Sequence, residues 1–528
     1  MPISLPRTAN IEFPSLMERE WRGMKRKEAL QQLKVGETVA EFDKDLKNYF
    51  VETQTFRSLI HGQKDVVAGD KGTGKTAIFQ ILAQRYTEFP ELQNVEVVPA
   101  FNTSGDPTFQ QLAIGGLVLN EGQYRTVWKT YVLSLGGNWL LRLYEGEWTP
   151  SMKRLDVLLK RIGVREPDDS PATIFTHLVD AVRRIIKPKS VGVALSFDES
   201  GMPVTTPKVE FGEHTEVANE VIKHGESLRL LNDALHEANL SLWLVFDRLD
   251  EAFIGYPDAE IPALRALFRS YLDLLEFDRI SVKLFVRRDL FRRITQAEGG
   301  FVNLTHIDAK KVEIVWDDKD LLNLLIRRVK SNHEFVDTAD LQGKSDQEIF
   351  DSLFPEKVQE GAKRPNTLKW MLTRIRDGQN VKPPRNLIEL VKKAQEEQLR
   401  KEDRDLEPKD YSPGEVLIEG EAIRSALRRL STERVVNQLM AESGEYRKFI
   451  EKFRDGKAEH NQDSLKRVLD LSPNETREAT RVLLDMGFLE RIGETFKIPM
   501  LYRDGLNISQ GKAFQSDDTS ETDSEDED

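Results

Sequence analysis

Eight consecutive residues carry the clearest chemistry in the chain. Gly69-Asp70-Lys71-Gly72-Thr73-Gly74-Lys75-Thr76 follow the spacing G-x-x-x-x-G-K-[ST] at every position. Glycines at these places let the backbone wrap a polyphosphate and aim successive N–H groups at it, while the helix that follows presents its positive end. Lys75 is placed to reach the β- and γ-phosphates, and the Thr76 hydroxyl to hold Mg²⁺. All eight residues are therefore read as a binding loop for a nucleoside triphosphate, with ATP and Mg²⁺ as the cofactors. The alternative is a glycine-rich turn that needs no ligand, and the full match argues against it.

A second stretch, Leu244-Val245-Phe246-Asp247-Arg248-Leu249-Asp250-Glu251, reads as an apolar strand that ejects carboxylates at its C-terminal end. Ligands bind at that end in open α/β sheets. Asp247 is placed to contact Mg²⁺ through water and, with Thr76, to complete its octahedral shell. Asp250 and Glu251 lie one turn later, where a carboxylate polarises an attacking water as a general base or by orienting it.

Apolar residues followed by D-x-x-D-E resemble the Walker B segment of signal-transduction ATPases with numerous domains, the STAND group that includes NACHT proteins, and of their AAA+ relatives. The resemblance spans roughly residues 50 to 400 and rests on motifs. It implies an ATPase core with an extra strand between the two Walker strands. Ser281-Val282-Lys283-Leu284-Phe285-Val286-Arg287-Arg288 resembles the sensor 1 strand of that family, with Arg287 first and Arg288 second as the residue that watches the γ-phosphate. A guanidinium suits that role because it forks onto phosphate oxygens. The plainer reading is a basic strand end paired with Asp289.

Lys382-Pro383-Pro384-Arg385 and the residues after it resemble the sensor 2 segment of a helical lid, with Pro384 opening a helix and Arg385 beside the nucleotide. Trp316 to Val329 resembles the first lid helix, with Trp316 as a packing residue. Leu133-Ser134-Leu135-Gly136-Gly137 superficially matches the signature of ABC transporters. It lies in the wrong place and lacks the expected Gln, and is read as a turn.

The expected fold is α/β, a parallel P-loop NTPase sheet with a helical insertion; the resemblance implies a helical lid and a C-terminal winged helix, and a disordered acidic tail is expected to follow. Strands are expected at Asp65–Ala68, Val95–Pro99, Leu242–Phe246, Ile280–Val286 and Val312–Trp316. Helical patterns fall at Glu28–Leu33, Val39–Tyr49 and Glu216–Ala238, and a hairpin at Val191–Phe197 and Lys208–Phe211. The expected domains are an N-terminal helical segment (1–63), an ATPase domain (64–316) with an insertion at about 101–215, a lid (317–400) and a winged helix (414–510). The tail (511–528) completes them, and a charged connector, Lys401–Pro413, precedes the winged helix. In that last domain Ser472 and Glu475 form a capping box with Pro473 at the first helical position, Gly487 ends the helix, and two short strands make a wing.

Composition excludes other chemistries. There is no Cys among the 528 residues, so disulfides, thiolate catalysis and Cys-bound zinc are out, and the eight His residues show no metal spacing. With 39% hydrophobic and 31% charged residues the chain reads as soluble and cytoplasmic, without a membrane partner. Its formal net charge of −13 is uneven: eight of the twelve residues 517–528 are acidic.

Arg477 and Arg481 on the winged-helix segment are offset by Glu475, Glu478 and Asp485, which argues for a protein contact over DNA reading there. The family resemblance implies an ATP-hydrolysing switch that assembles with its own kind, with antiviral defence or a stress response in bacteria as its setting. The alternatives are a DNA-handling, initiator- or repair-like ATPase and a scaffold that binds nucleotide without hydrolysing it.

Overall fold

Five short apolar runs form one parallel sheet: β1 (Val66–Gly69), β2 (Val95–Pro99), β3 (Ser241–Phe246), β4 (Ile280–Arg287) and β5 (Lys311–Glu313). In this computed structural model the described residues are 24–100, 119–165, 224–251, 257–296 and 300–514, with the backbone of an antiparallel hairpin at Ser190–Phe197 and Pro203–Glu210. The strands lie in the order β2-β3-β4-β1-β5. β4 therefore separates the strand before the glycine-rich loop from the strand before Asp247, where the extra strand was expected.

Period-two alternation sends the strands' side chains into two layers. Leu244, Phe246, Val282, Leu284, Val66 and Ala68 join one core with the helices Glu121–Leu143 and Pro257–Leu274. Val245, Trp243, Phe285 and Val67 join the other, with Ile78, Ile81 and Leu82 of the helix Lys75–Arg85. Burial on both faces is why these strands read as continuous apolar runs.

One position breaks that rule. Lys283, in the middle of β4, is fully buried, and its Nζ donates to Asp65 Oδ1 at 2.6 Å while lying 3.9 Å from the Trp243 ring centre. The Tyr271 hydroxyl donates to the other Asp65 oxygen at 3.0 Å. Removing one partner of such a pair leaves a buried charge and costs about 3–5 kcal/mol, so this trio pins β4 against β1.

The lid comprises the helices Asp318–Lys330, His333–Thr338, Asp346–Leu353, Thr367–Arg374 and Pro384–Arg404. Its core is continuous with the helix Arg26–Gln32 on one side and with Gly420–Arg434 on the other. The winged helix follows: strand Lys457–His460, helices Gln462–Leu469 and Pro473–Asp485, and the wing strands Glu490–Ile492 and Thr495–Lys497. A last strand, Ser509–Lys512, runs parallel to Lys457–His460 at the far edge of the same sheet. The Ser472–Glu475 capping box and Pro473 at the helix start are present.

Several local expectations are corrected. Leu133–Gly137 is no turn; it lies inside the helix Glu121–Leu143, where a Cβ on Gly136 would meet Leu242 at 2.6 Å. Its small residues let that helix approach the sheet. Val39–Tyr49 is helical only in two short pieces, a 3-10 turn at Ala40–Phe42 and one α-helical turn at Leu46–Tyr49; between and at the end of them Asp43 and Tyr49 pack on Arg328 of the lid. The connector is partly helical, since the last lid helix runs on to Arg404. The hairpin's second strand starts earlier than expected, at Pro203, and β5 ends at Glu313, before Trp316. The helix expected from Glu216 is described from His224; residues 216–223 and the acidic tail from 515 lie outside the described residues. Among the described residues no helix is long and apolar enough to cross a membrane.

Candidate nucleotide site

Parallel strands bring their C-terminal ends to one edge of the sheet, and the register decides which residues meet there. Gly69 pairs with Arg287 across β1 and β4, while Phe246, at the end of β3, pairs with Leu284. The glycine-rich loop, the carboxylates after β3 and Arg287 thus surround one cleft of about 400 Å³. Gly72, Gly74, Lys75, Thr76, Asp247, Asp250, Glu251, Arg287 and Arg385 line it. Its opposite wall combines Tyr49, Phe50 and Val51 with Leu324 and Ile388 of the lid.

In the loop, Gly72 (φ +79°) and Gly74 (φ +102°) occupy the left-handed region that other residues avoid. Gly74 leads directly into the helix Lys75–Arg85, and no side chain caps that helix start. Its first N–H groups are therefore available to an anion. Lys75 Nζ donates to the carbonyl oxygens of Gly69 (2.8 Å) and Asp70 (3.1 Å), and burial draws its amine below the usual lysine range against the pull of Asp250 and Asp247.

The other loop residues hold its shape. Thr73 is buried and its hydroxyl donates to the Asp70 carbonyl at 2.8 Å. The Trp316 indole donates to the Thr73 carbonyl at 2.9 Å, so Trp316 braces the loop. Asp70 turns its carboxylate away from the cleft to Arg288, at 3.3 Å. Lys71 is ion-paired with Glu442, which lies just before the winged helix.

On the acidic side, Asp247 is buried beside Thr76 at the cleft, and its Oδ2 has no partner. Burial pushes its pKa up to about 6, against Thr76, the Arg248 amide and Lys75. An unpartnered buried carboxylate oxygen beside a hydroxyl, open to a triphosphate, fits a hard divalent cation that keeps most of its waters. Among the described residues no group of three or more His, Cys, Asp or Glu is arranged to hold a metal by itself, so phosphate and water would supply the remaining ligands.

Arg248 sits at φ +55° and pairs with both Glu41 and Glu251, the latter at 3.4 Å. Asp250 lies 3.6 Å from Arg287.

The three candidate sensor arginines separate. Arg287 lines the cleft and also forks onto Asp289 at 3.0 and 3.1 Å, so the plainer reading of its sequence context is present as well. Burial opposes its charge, but the carboxylates of Asp289, Glu442 and Asp250 raise its pKa overall. Arg288 faces elsewhere, bridging Asp70 and Glu313. Adjacent residues at a strand end point to opposite faces, which leaves only one of the pair for the cleft.

Arg385 stands one residue into the lid helix that Pro384 opens, and its backbone N–H reaches the Gly72 carbonyl at 3.5 Å. Its Nε is buried without a partner, and burial together with Arg434 lowers its pKa.

The strand order β2-β3-β4-β1-β5, with a glycine-rich loop after β1 and a carboxylate after β3, decides the fold class. The fold is that of a P-loop NTPase. A helical lid and a C-terminal winged helix complete it. No protein-family model and no curated protein matches the chain. Two solved structures from Aeropyrum pernix are similar to it across 88% of its length. One is the ORC2 protein in ADPNP-ADP complexes, 12% identical over 97% of that chain, with a TM-score of 0.36. The other is the ORC1 protein in complex with DNA, 13% identical over 94% of that chain, with a TM-score of 0.32.

Glu442 and the wall Tyr49–Val51 had no sequence signal; they reach the site from segments that carry no motif, brought in by the packing of the lid and the N-terminal turns. Arg248 lies within the acidic stretch, but nothing there marked its pairing with Glu41.

Proposed function

We propose that the protein binds and hydrolyses ATP and uses the γ-phosphate to switch the placement of its lid and winged helix. The observation that carries this reading is the convergence on one cleft of Lys75, Thr76, Asp247, Asp250, Glu251, Arg287 and Arg385. They come from the glycine-rich loop, two strand ends and the lid. Lys75 exchanges the Gly69 and Asp70 carbonyls for phosphate oxygens. Thr76 and Asp247 hold Mg²⁺, which neutralises phosphate charge when bound. Glu251 or Asp250 positions water; each is ion-paired in the cleft, Glu251 with Arg248 and Asp250 with Arg287. Arg287 and Arg385 report the terminal phosphate to the lid, the arrangement a two-state switch needs.

ATP turnover by the purified protein tests this. Lys75→Ala should abolish turnover through lost binding, while Glu251→Gln should keep binding and slow turnover by about 10²–10⁴-fold. Turnover that neither change affects overturns the reading, and nucleotide binding without turnover in the unaltered protein establishes a scaffold instead. The winged helix supports a second reading, a DNA-handling ATPase. Salt-dependent DNA binding that disappears on deleting residues 414–510 would establish that reading, whereas ATP-dependent assembly without DNA affinity would establish the switch.

A further inference from the structure

Arg248 occupies a backbone position that does not suit it. At φ +55° it stands in the left-handed region, and its carbonyl accepts the Glu251 N–H at 3.0 Å, closing the tight turn that presents Asp250 and Glu251. A glycine would make that turn without strain, whereas any side chain there meets a steric penalty. What the arginine gains is two ion pairs, one with Glu41 and one with Glu251 at 3.4 Å, and all three groups are partly exposed. Such pairs stabilise by about as much as the strain costs, so stability leaves the arginine unexplained. A strained residue that stability does not account for points to function.

Its surroundings say which function. Arg248 lines the candidate nucleotide cleft and also a second concavity, of about 600 Å³, whose other walls include Phe42, Phe79, Gln80 and Pro99. Glu41, Thr76 and Asp247 border both. The cleft's other cations, Lys71, Lys75, Arg287, Arg328 and Arg385, do not reach the second concavity. Arg248 therefore stands beside Thr76 and Asp247, on a flank that none of those cations shares. A guanidinium carries five donors in a fixed fork, so it can turn from a partly exposed carboxylate to phosphate oxygens and keep some of its bonds throughout.

We propose that Arg248 is a further residue of the site that touches the reacting phosphate, exchanging its carboxylate partners for oxygens of the terminal phosphate of ATP from the flank of Thr76 and Asp247. The inference rests on the reading of the cleft as an ATP site. In hydrolysis a water oxygen bonds to the γ-phosphorus while the bond to the β–γ bridging oxygen breaks, its electron pair leaving with ADP. One water proton passes to a nearby carboxylate and on to solvent, and the other stays on the released phosphate. A guanidinium on the equatorial oxygens neutralises the charge that gathers there, and its own protonation does not change.

Arg248→Gly separates function from stability, because it removes the guanidinium and the strain together. The full-length variant should melt within about 2 °C of the unaltered protein. Its ATP turnover should be slower by about tenfold or more, while affinity for a non-hydrolysable ATP analogue falls only about two- to fivefold and affinity for ADP holds. Guanidinium ion at about 20 mM, below denaturing concentrations, should restore turnover about threefold in this variant and leave the unaltered protein unaffected. Glu41→Gln loosens the same guanidinium without removing it, and should instead tighten binding of the ATP analogue about two- to fivefold. Unchanged turnover in Arg248→Gly overturns the proposal. So do parallel losses of affinity and melting temperature in both variants without rescue, since the arginine then only ties the Ala40–Phe42 turn to the sheet. If the unaltered protein binds ATP without hydrolysing it, the hydrolysis reading fails by itself, and the split between ATP analogue and ADP in Arg248→Gly still decides: equal effects on the two overturn the role of Arg248. Absence of any nucleotide binding by the unaltered protein overturns both.

Discussion

Glu442 and Arg287 meet where the sheet faces the approach to the winged helix: Oε2 of the first lies 3.4 Å from Nη2 of the second, and the same carboxylate pairs with Lys71 of the glycine-rich loop. One anion from the C-terminal half thus engages two cations that border the candidate cleft. A triphosphate arriving there offers both cations a competing partner.

Replacing Glu442 with Gln should therefore strengthen nucleotide binding. Partly exposed pairs contribute about 0.2–1 kcal/mol each, so the affinity for a non-hydrolysable ATP analogue should rise roughly two- to thirtyfold. Titration with a fluorescent analogue reads this directly, and a weakened affinity would show that Glu442 supports the loop and does not compete with phosphate.

Arg385 predicts an exchange of stability for discrimination. Its buried Nε lacks a partner, and burial with Arg434 outweighs the carboxylates of Glu41, Glu389 and Glu442, so the ligand-free protein holds a costly charge there. Arg385→Met should raise the melting temperature without nucleotide by about 2 °C and shrink the preference for ATP over ADP. Calorimetric titration with the two nucleotides measures the second effect. An unchanged preference removes Arg385 from the sensor role.

Gly378 marks where the winged helix docks on the lid. Its N–H donates to the Gly487 carbonyl at 2.7 Å, and a Cβ there would lie 2.2 Å from the Leu489 carbonyl oxygen. Since both contacts are backbone, Gly378→Ala should cost about 1–3 kcal/mol and speed hydrogen exchange at residues 484–492. Gly225→Ala, on an open helix face, serves as the control and should be neutral or slightly stabilising. Equal exchange in the two variants would mean that the docking contact is loose in solution.

The pH dependence of stability should carry a contribution from His224. Burial, with Lys129 adding to it, lowers its pKa to about 4, and its Nε2 lies 3.0 Å from the Thr130 hydroxyl. The unfolded chain, near 6.5, binds the proton that the folded chain refuses, so this contribution is complete above pH 6.5 and is lost as pH falls toward 4. Its size is on the order of 3 kcal/mol. His224→Gln should flatten the melting-temperature profile across that window, and an unchanged slope would assign the acid sensitivity elsewhere.

Much of the sheet was legible because its signals are local. A strand buried on both faces must be apolar throughout, so β2 was readable to the residue and β1, β3 and β4 to within one. The turn from Gly69 into the helix at Lys75 was readable because Gly72 and Gly74 adopt the left-handed backbone that favours glycine at those offsets. The capping box at Ser472 and the helix start at Pro384 followed from the same short-range logic. Leu133–Gly137 misled because small residues that permit close helix packing look, in one dimension, like a turn.

By itself the sequence determined the residue types at the cleft and where along the chain the strands fall, since both depend on neighbours a few positions apart. Only the tertiary structure decided which arginine of the pair 287 and 288 faces the cleft, that Asp70 turns from it, and that Glu442 crosses to it. Those outcomes depend on strand register and on how the lid packs beside the sheet, and such contacts between residues far apart in the chain leave no periodic trace along it.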